Sequence, residues 1–352
     1  MILELAKRFL ANKGIGRMVF LAFFLAFLVR LPLDVINAPL SPDEVEYLTA
    51  AVGDVARYVV FRLFLRLVFS IWNNLVFGRA IISLISSLSV FTMYQFCRQV
   101  TKDSRMAFLA SLFYVFNAFH VYFSCRILTE AFYYLLVPAF MYLFYKHMET
   151  NQWRCGFMCG IVAGLALLFR YAVLSLYLVL LLACILLKRE KFYKSFIVIC
   201  VGIVVALSLW FVFNYTLFGN PVYPLLENVL LNVRKVILPF PYFPTFILIN
   251  IFTFPFIIYA VMKEEKSQLF VTLLFWCILQ HLTYFGHHSY FDLIRLNTST
   301  LPVYVIFAAK GYGGLMKLSN ALCRLALLGI IILNVGLAYG LIFMRLARYG
   351  IL

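Results

Sequence analysis

Charged side chains are scarce in this sequence of 352 residues, since only 12% of them are Asp, Glu, Lys or Arg and 14 are acidic. Hydrophobic residues make up 65% of the chain, against roughly 45 to 50% in globular proteins. Apolar runs long enough to cross a bilayer recur along the chain. The sequence therefore excludes a soluble fold. It predicts an all-α polytopic membrane protein, a single transmembrane domain over residues 1–352.

Several other features are absent. There is no internal repeat, low-complexity tract or soluble domain. Cys155 and Cys159 share a helix face, but no histidine or second cysteine pair completes a zinc pattern. The basic N-terminal region leads into an apolar run from Met18 to Leu33 with no small-residue cleavage site, which predicts a retained first span. The net charge of +16 is dispersed among the spans, which excludes a nucleic-acid partner.

The apolar runs predict about eleven transmembrane helices. Loops rich in Lys and Arg stay in the cytoplasm, and this rule predicts a cytoplasmic N-terminus and termini on opposite sides. The extracytoplasmic side then carries nearly every histidine and isolated carboxylate that could do chemistry. Short loops without a eukaryotic retention signal favour a prokaryotic plasma membrane. After the first span, the others are expected near residues 78–97, 106–124, 130–146, 155–169, 171–187, 195–213, 243–262, 269–286, 299–316 and 322–344.

The first extracytoplasmic loop, residues 34–77, holds the acidic stretch Ser41-Pro42-Asp43-Glu44-Val45-Glu46-Tyr47. Ionisable groups beside hydrocarbon are costly and mark function, and paired carboxylates are a source of a general base. The stretch is therefore predicted to be the catalytic centre of a membrane enzyme. In the alternative, Asp43 or Ser41 caps a short interfacial helix with Glu46 in its first turn. Both interpretations can hold together.

A second helix is predicted in the same loop, where residues 57–66 mix arginines with bulky apolar residues. Arg62 and Arg66 are four apart and lie on one helical face. This pattern is typical of a helix in the membrane interface with its arginines towards the headgroups. A short buried helix with snorkelling arginines is the alternative.

Cationic residues from separate extracytoplasmic loops complement the acidic stretch: Arg126, Arg170, Arg295 and Lys235. Transfer from a phosphate-activated donor to a hydroxyl needs this combination. A carboxylate must take the hydroxyl proton, and cations or a metal must stabilise the departing phosphate. A site at the membrane surface suits a donor that is held by a lipid tail.

The acidic stretch resembles the first external loop of the GT-C superfamily of integral membrane glycosyltransferases. The similarity is to the branch with protein O-mannosyltransferases and the lipid A aminoarabinose transferase, where an Asp-Glu pair is followed by an aromatic residue. It covers roughly the first two thirds of the chain. Weaker matches follow in order: Phe77-Gly78-Arg79, Arg126-Ile127-Leu128-Thr129-Glu130, Leu168-Phe169-Arg170-Tyr171, Asn214-Tyr215 and Phe218-Gly219-Asn220-Pro221.

This resemblance implies a GT-C-type fold and an inverting transfer of a sugar from a polyprenyl or dolichyl phosphate carrier. Asp43 would be the base, and Glu44 would support it or bind the acceptor. Arg170 would contact the donor phosphate or, alternatively, anchor the next span at the interface. Glu130 is expected to hold Arg126 in an ion pair. The acceptor would be a hydroxyl of a glycan, lipid or protein, with a membrane-embedded acceptor favoured because no external domain follows the last span.

The remaining residues of the predicted substrate site are Tyr171, His288, Asp292 and Arg295. The stretch His287-His288-Ser289-Tyr290-Phe291-Asp292 leaves a divalent metal open, but adjacent histidines rarely ligate one metal. We therefore assign no metal ligand and expect Arg295 to contact phosphate or substrate. The predicted partners are the lipid phosphate sugar, membrane lipids and the hydroxyl acceptor.

Two other classes of protein share some of these features. A transporter or lipid flippase places its ionisable residues near the bilayer midplane, often with repeat symmetry, whereas here the charges lie at span ends. A phosphoethanolamine transferase usually carries a soluble metal-dependent domain, which this chain lacks. The glycosyltransferase is the interpretation that the sequence favours.

Overall fold

The computed structural model describes residues 13–36, 40–49, 59–170, 173, 190–222, 248–263, 295, 298–316 and 320–348. All regular structure within these ranges is helical, which confirms the predicted all-α class. One 3-10 turn, Thr298–Thr300, precedes α12. The helices are α1 Lys13–Ile36, α2 Pro42–Thr49, α3 Val59–Ile71, α4 Leu75–Ser87, α5 Ser89–Thr101, α6 Ser104–Val115, α7 Ala118–Ser124, α8 Glu130–Thr150, α9 Trp153–Phe169, α10 Glu190–Phe218, α11 Phe254–Lys263, α12 Leu301–Met316 and α13 Asn320–Arg348.

Three stretches in the described ranges are long and apolar enough to cross a membrane: Gly14–Ile36, Leu75–Thr101 and Arg324–Arg348. Bent pairs raise this number to five if each is one span, namely α6 with α7, bent by 55°, and the two halves of α10, bent by 43°. The spans predicted near 171–187 and 269–286 lie outside the described residues. The total of eleven spans therefore stays a prediction.

Local polar residues set the ends of several helices. Asp103 starts α6, because its carboxylate accepts hydrogen bonds from the backbone N–H groups of Arg105 at 2.7 Å and Met106 at 3.2 Å. Lys102 and Asn151 follow α5 and α8 with φ angles of 56° and 53°. A residue in this left-handed region ends a helix, so Lys102 and Asn151 set the ends of α5 and α8.

The bend between α6 and α7 is stabilised by two asparagines. Asn117 Oδ1 accepts hydrogen bonds from the N–H groups of Phe119 at 3.1 Å and His120 at 3.3 Å. Asn334 Oδ1, on α13, accepts one from the N–H of Ala118 at 3.0 Å. A break inside a membrane leaves backbone N–H groups without helical partners, and these side chains satisfy them.

Helices α9 and α10 approach closely through small residues. A Cβ atom added to Gly160 would lie 2.1 Å from the carbonyl oxygen of Ile199, and one added to Gly164 would lie 2.6 Å from Cβ of Ala206. The later residue of α9, Gly164, contacts the later residue of α10, Ala206, so the two helices run parallel. Small residues four apart allow such close packing of membrane helices.

The first loop contains the two helices that the sequence predicts there, α2 and α3. Tyr47 of α2 packs edge-on against Phe61 of α3, with ring centroids 5.1 Å apart. Arg66 is exposed, but Arg62 is only 2% exposed, and its Nη2 donates to the carbonyl oxygen of Glu46 at 3.3 Å. The prediction that both arginines face the headgroups is wrong for Arg62, because α2 covers that part of α3.

Many of the described helices begin or end at one end of the molecule. Arg79 lies near the start of α4, Arg126 follows α7, Glu130 starts α8 and Arg170 follows α9. Tyr134 of α8 also donates to Thr298, which precedes α12, at 3.0 Å. Helices α4 and α8 thus begin at this end and α7 and α9 finish there, as expected for helices that alternate in direction. Charged residues from distant parts of the chain therefore lie close together at this end.

Candidate functional site

Helix α2 positions the acidic stretch, and its first turn is a capping box. Ser41 Oγ accepts a hydrogen bond from the N–H of Glu44 at 3.3 Å, and Glu44 Oε2 accepts one from the N–H of Ser41 at 2.9 Å. Pro42 occupies the first helical position, where its missing N–H costs nothing. The capping alternative is therefore confirmed for Ser41. The spacing Ser-x-x-Glu carried this signal, and the sequence interpretation missed the part of Glu44 in it.

Three arginines surround the buried Glu44 side chain, and we call these four residues the Glu44 cluster. Arg126 donates to Glu44 Oε2 from Nε at 3.3 Å and from Nη2 at 3.2 Å. Arg79 Nη2 lies 3.5 Å from Oε1, and Arg345 Nη2 lies 3.7 Å from Oε2. The backbone N–H of Ile127 adds a hydrogen bond to Oε1 at 3.1 Å. The carboxylate is thus held by helices from the start, middle and end of the chain.

The charge state of Glu44 follows from these contacts. Burial alone raises the pKa of a carboxyl group, because it disfavours the charged form. Here Arg126 and Arg79, together with the backbone N–H groups of Ser41 and Ile127, outweigh burial and lower the pKa of Glu44 below its ordinary value. Glu44 is therefore ionised at neutral pH.

A second cluster, the Glu130 cluster, consists of Glu130, Arg170, Arg295 and Asp43. Arg170 Nη1 donates to Glu130 Oε1 at 2.5 Å and to Thr129 Oγ1 at 3.4 Å. Arg295 donates from Nε to the same Glu130 oxygen and from Nη1 to Asp43 Oδ2. The predicted ion pair between Glu130 and Arg126 is wrong. Arg126 pairs with Glu44 instead, and Glu130 binds the arginine that follows α9 and the one that precedes α12.

The three carboxylates differ in access to solvent. The side chains of Glu44 and Glu130 are 0% and 1% exposed, whereas that of Asp43 is 42% exposed. Asp43 precedes Glu44 in the first turn of α2, so it lies at the edge of both clusters. Of these three groups, Asp43 is the one that a substrate hydroxyl can reach without rearrangement of the core.

A buried polar network at the end of α1 adjoins this region. Arg30 Nε donates to Ser124 Oγ at 2.7 Å, and Ser83 Oγ donates to Asp34 Oδ1 at 2.8 Å. Both charged side chains are fully buried. The network ties α1, α4 and α7 together below the two clusters. The sequence interpretation missed it, although Arg30 and Asp34 are spaced to share one face of α1.

The structure thus brings together six of the predicted site residues: Asp43, Glu44, Arg126, Glu130, Arg170 and Arg295. Tyr171, His288 and Asp292 lie outside the described residues, as does Lys235. Arg79 and Arg345 were not among the predicted site residues, although both stand next to apolar spans in the sequence. Among the residues that the structure describes, no group of three or more His, Cys, Asp or Glu side chains is placed to hold a metal ion.

One family model matches part of the chain. A family model for dolichyl-phosphate-mannose-protein mannosyltransferase matches residues 57–215, which include Arg79, Arg126, Glu130 and Arg170. The match agrees with the resemblance to GT-C superfamily glycosyltransferases. No curated protein matches the sequence.

Among solved structures, the chain is similar to the oligosaccharyltransferase of Archaeoglobus fulgidus, crystallised with zinc and sulfate. The identity is 14%, the TM-score is 0.48, and the similarity covers 79% of this chain and 44% of the archaeal one. This chain thus spans less than half the length of that protein.

Proposed function

We propose that this chain transfers a sugar from a polyprenyl or dolichyl phosphate carrier to a hydroxyl acceptor, with inversion at the anomeric carbon. The observation that carries the proposal is the placement of Asp43. It is an accessible carboxylate that lies one residue from a buried, ionised glutamate and in contact with Arg295. The family match to mannosyltransferases supports the reaction class.

In the proposed reaction, Asp43 accepts the proton of the acceptor hydroxyl as its oxygen bonds to the anomeric carbon. The bond between that carbon and the phosphate oxygen breaks, and the lipid phosphate leaves with the electron pair. A hydroxyl is too weak an acid to ionise near neutral pH, so a positioned base is needed. Attack opposite the leaving phosphate gives inversion in a single displacement.

Arg170 and Arg295 are the proposed contacts of the departing phosphate. Glu130 accepts from both guanidinium groups and orients them towards the same region as Asp43. A guanidinium group has five N–H donors, and the hydrogen bonds of Arg170 within the described chain use Nη1. The remaining donors suit the oxygens of a phosphate, for which arginine is well matched.

Glu44 and Arg126 have a supporting part in this proposal. Glu44 is fully buried and already paired with cations, which favours support of Asp43 over contact with the acceptor. Tyr171, His288 and Asp292 remain predicted substrate contacts, and a divalent metal remains open. The sugar, a hexose or a pentose, is also open, and mannose is the first to test because the matching family is described by it.

The proposed reaction takes place on the extracytoplasmic side of a multi-pass protein with a cytoplasmic N-terminus, in a prokaryotic plasma membrane. Support comes from the basic residues that flank the predicted cytoplasmic ends of the spans. A donor held by its lipid tail and a membrane-embedded glycan or lipid acceptor would both reach Asp43 at this surface.

The test is turnover of a panel of radiolabelled polyprenyl phosphate sugars, mannose first, by purified protein in lipid nanodiscs. Asp43→Asn keeps the shape of the side chain and removes the base, so we expect turnover to fall by about 100-fold or more. Glu46→Gln is the matched control, because Glu46 lies three residues further along the same helix and its carboxylate is 4.0 Å from Arg62; it should retain activity near that of the unmodified protein.

Each outcome has a defined meaning. If the folded Asp43→Asn protein turns over a donor as fast as the unmodified protein, Asp43 is not the base. If the unmodified protein consumes no lipid phosphate sugar but moves one across the bilayer of a vesicle, the flippase alternative replaces the transferase. Repeating the assay with a chelator decides whether a divalent metal takes part.

A further inference from the structure

The last helix of the chain reaches the Glu44 cluster. Arg345 lies three residues before the end of α13, its side chain is 11% exposed, and its Nη2 is 3.7 Å from Glu44 Oε2. Along α13, the hydroxyl of Tyr339 donates to the carbonyl oxygen of Val29 at 3.0 Å, and Asn334 binds the start of α7. The side-chain contacts of α13 thus continue up to the helix that carries Asp43.

Arg345 is the third cation beside Glu44. Arg79 and Arg126 supply two positive charges within 3.5 Å of this carboxylate. A buried ion pair is in itself weak evidence for stability. Ionisable residues beside hydrocarbon are costly and mark function. The contact therefore bears on the position of α2.

Helix α2 is only eight residues long. Among its described side chains, those of Glu44 and Tyr47 are buried, and Tyr47 packs on α3. Asp43 lies in the same turn as Glu44, so any displacement of Glu44 moves Asp43 with it. A misplacement of about 1 Å at a reacting group can lower a rate by about 100-fold. The partners of Glu44, together with Arg295, which donates to Asp43 directly, consequently set how precisely Asp43 is held.

We propose that Arg345 is a positioning residue. Through Glu44 it fixes the first turn of α2, and so the C-terminal helix holds Asp43 in place for the reaction. The catalytic part of this inference rests on the proposed function, whereas the mechanical link from α13 to α2 does not. Arg345 lies outside residues 57–215, so the family match assigns it no role.

The test combines hydrogen exchange with kinetics on the full-length protein in nanodiscs. Arg345→Gln should raise amide exchange in residues 41–49 by about tenfold and leave exchange in α9 unchanged, because tenfold corresponds to about 1.4 kcal/mol, within the range for residues in contact. It should also lower kcat by about tenfold with the donor KM unchanged. Arg345→Lys should restore both readouts in part, since an ammonium group still pairs with Glu44.

The matched control is Arg348→Gln, which removes an exposed arginine one turn further along the same helix. It should change neither exchange in residues 41–49 nor kcat. In a Glu44→Gln background, Arg345→Gln should add no further exchange, because its partner charge is already gone. If the Glu44→Gln protein does not fold, the comparison of Arg345→Gln, Arg345→Lys and Arg348→Gln decides alone.

Two results overturn the inference. One is unchanged exchange in residues 41–49 of Arg345→Gln. The other is an equal effect of Arg345→Gln and Arg348→Gln, which would mean a general loss of α13 stability. If the unmodified protein turns over no donor, the proposed function fails, yet the exchange data still decide whether α13 holds α2. Changed exchange with unchanged kcat in an active enzyme removes the catalytic part of the role.

Discussion

Glu44 has two tasks in the first turn of α2. Its Oε2 atom completes the capping box with Ser41 and also accepts from Arg126, while Oε1 faces Arg79 and the N–H of Ile127. The same carboxylate therefore starts a short helix and attaches it to the membrane helices. Removal of its charge affects both tasks at once, and this double dependence makes Glu44 the most sensitive residue of the site.

Glu44→Gln is expected to lower the free energy of unfolding by about 3 kcal/mol, because Arg79, Arg126 and Arg345 lose the counterion that they share in a largely buried cluster. Thermal unfolding in detergent at neutral pH measures this change. The control is Glu149→Gln, which breaks the exposed pair with Lys102 at 2.7 Å and should cost less than about 1 kcal/mol. Equal effects of the two substitutions would show that the Glu44 cluster is as weak as a surface ion pair.

The lowered pKa of Glu44 also predicts an acid-sensitive fold. A carboxyl group with a lower pKa in the folded state stabilises the protein above its ordinary pKa, and the stabilisation is lost as the pH falls through the folded value. We expect the unfolding temperature of the unmodified protein to drop more than that of Glu44→Gln below about pH 4, near the ordinary pKa of glutamate. Parallel curves from pH 7 to pH 3 would contradict the assignment.

At the scale of helices, the close approach of α9 and α10 matters most for stability. An added Cβ at Gly160 meets backbone of α10 at 2.1 Å, and backbone moves less easily than the end of a side chain. Gly160→Leu should separate the two helices and lower the unfolding free energy by about 3 kcal/mol, at the upper end of overpacking effects. Since Arg170 follows α9 directly, we also expect the proposed transfer reaction to be slower.

Gly329→Leu is the control for this prediction, because a Cβ at Gly329 of α13 meets nothing within 4 Å. It places the same side chain in another apolar helix, and the free energy of unfolding should change little. Thermal unfolding of the two variants in the same detergent gives the comparison. A destabilisation by Gly329→Leu as large as that by Gly160→Leu would mean that leucine itself, and not the helix contact, is responsible.

Local signals in the sequence predict most of the described helices, but they do not predict partners. The apolar runs locate α1, α4 with α5, α8, α9 and α13, and Asp103 marks the start of α6. The acidic stretch locates α2. The partner of Glu130 was mispredicted, since Arg126 is four residues away in sequence and Arg295 is 165. Which arginine reaches which carboxylate depends on how the helices pack, and the sequence carries no local signal for that.

At the scale of the whole molecule, charged groups separate to two ends. Glu130 and Glu149 lie near opposite ends of α8, about 30 Å apart at 1.5 Å per residue. The Glu44 and Glu130 clusters gather at one end, and the exposed pair of Lys102 and Glu149 lies at the other. In the described part of the molecule, the buried carboxylates of the candidate site therefore lie at one end, and the other end carries an exposed ion pair.

This polarity predicts a labelling pattern in intact cells. Thr49→Cys and Thr150→Cys place thiols at exposed positions on opposite ends. A membrane-impermeant maleimide should label Thr49→Cys from outside and leave Thr150→Cys at the background of the unmodified protein, which has eight cysteines. Permeabilised cells should show labelling at both positions. The reverse pattern would place the proposed site on the cytoplasmic side.

The contact between Glu44 and Arg345 joins residues that are separated by nearly the whole length of the chain. Ribosomes synthesise α2 early and α13 late, so the two must coexist in the membrane before that contact can form. Until α13 has inserted, the acidic helix keeps its capping box but lacks one of its three arginines. In chains that end before α13, the acidic helix would therefore be held less firmly, and we expect the proposed reaction to be slow until α13 has been made and inserted.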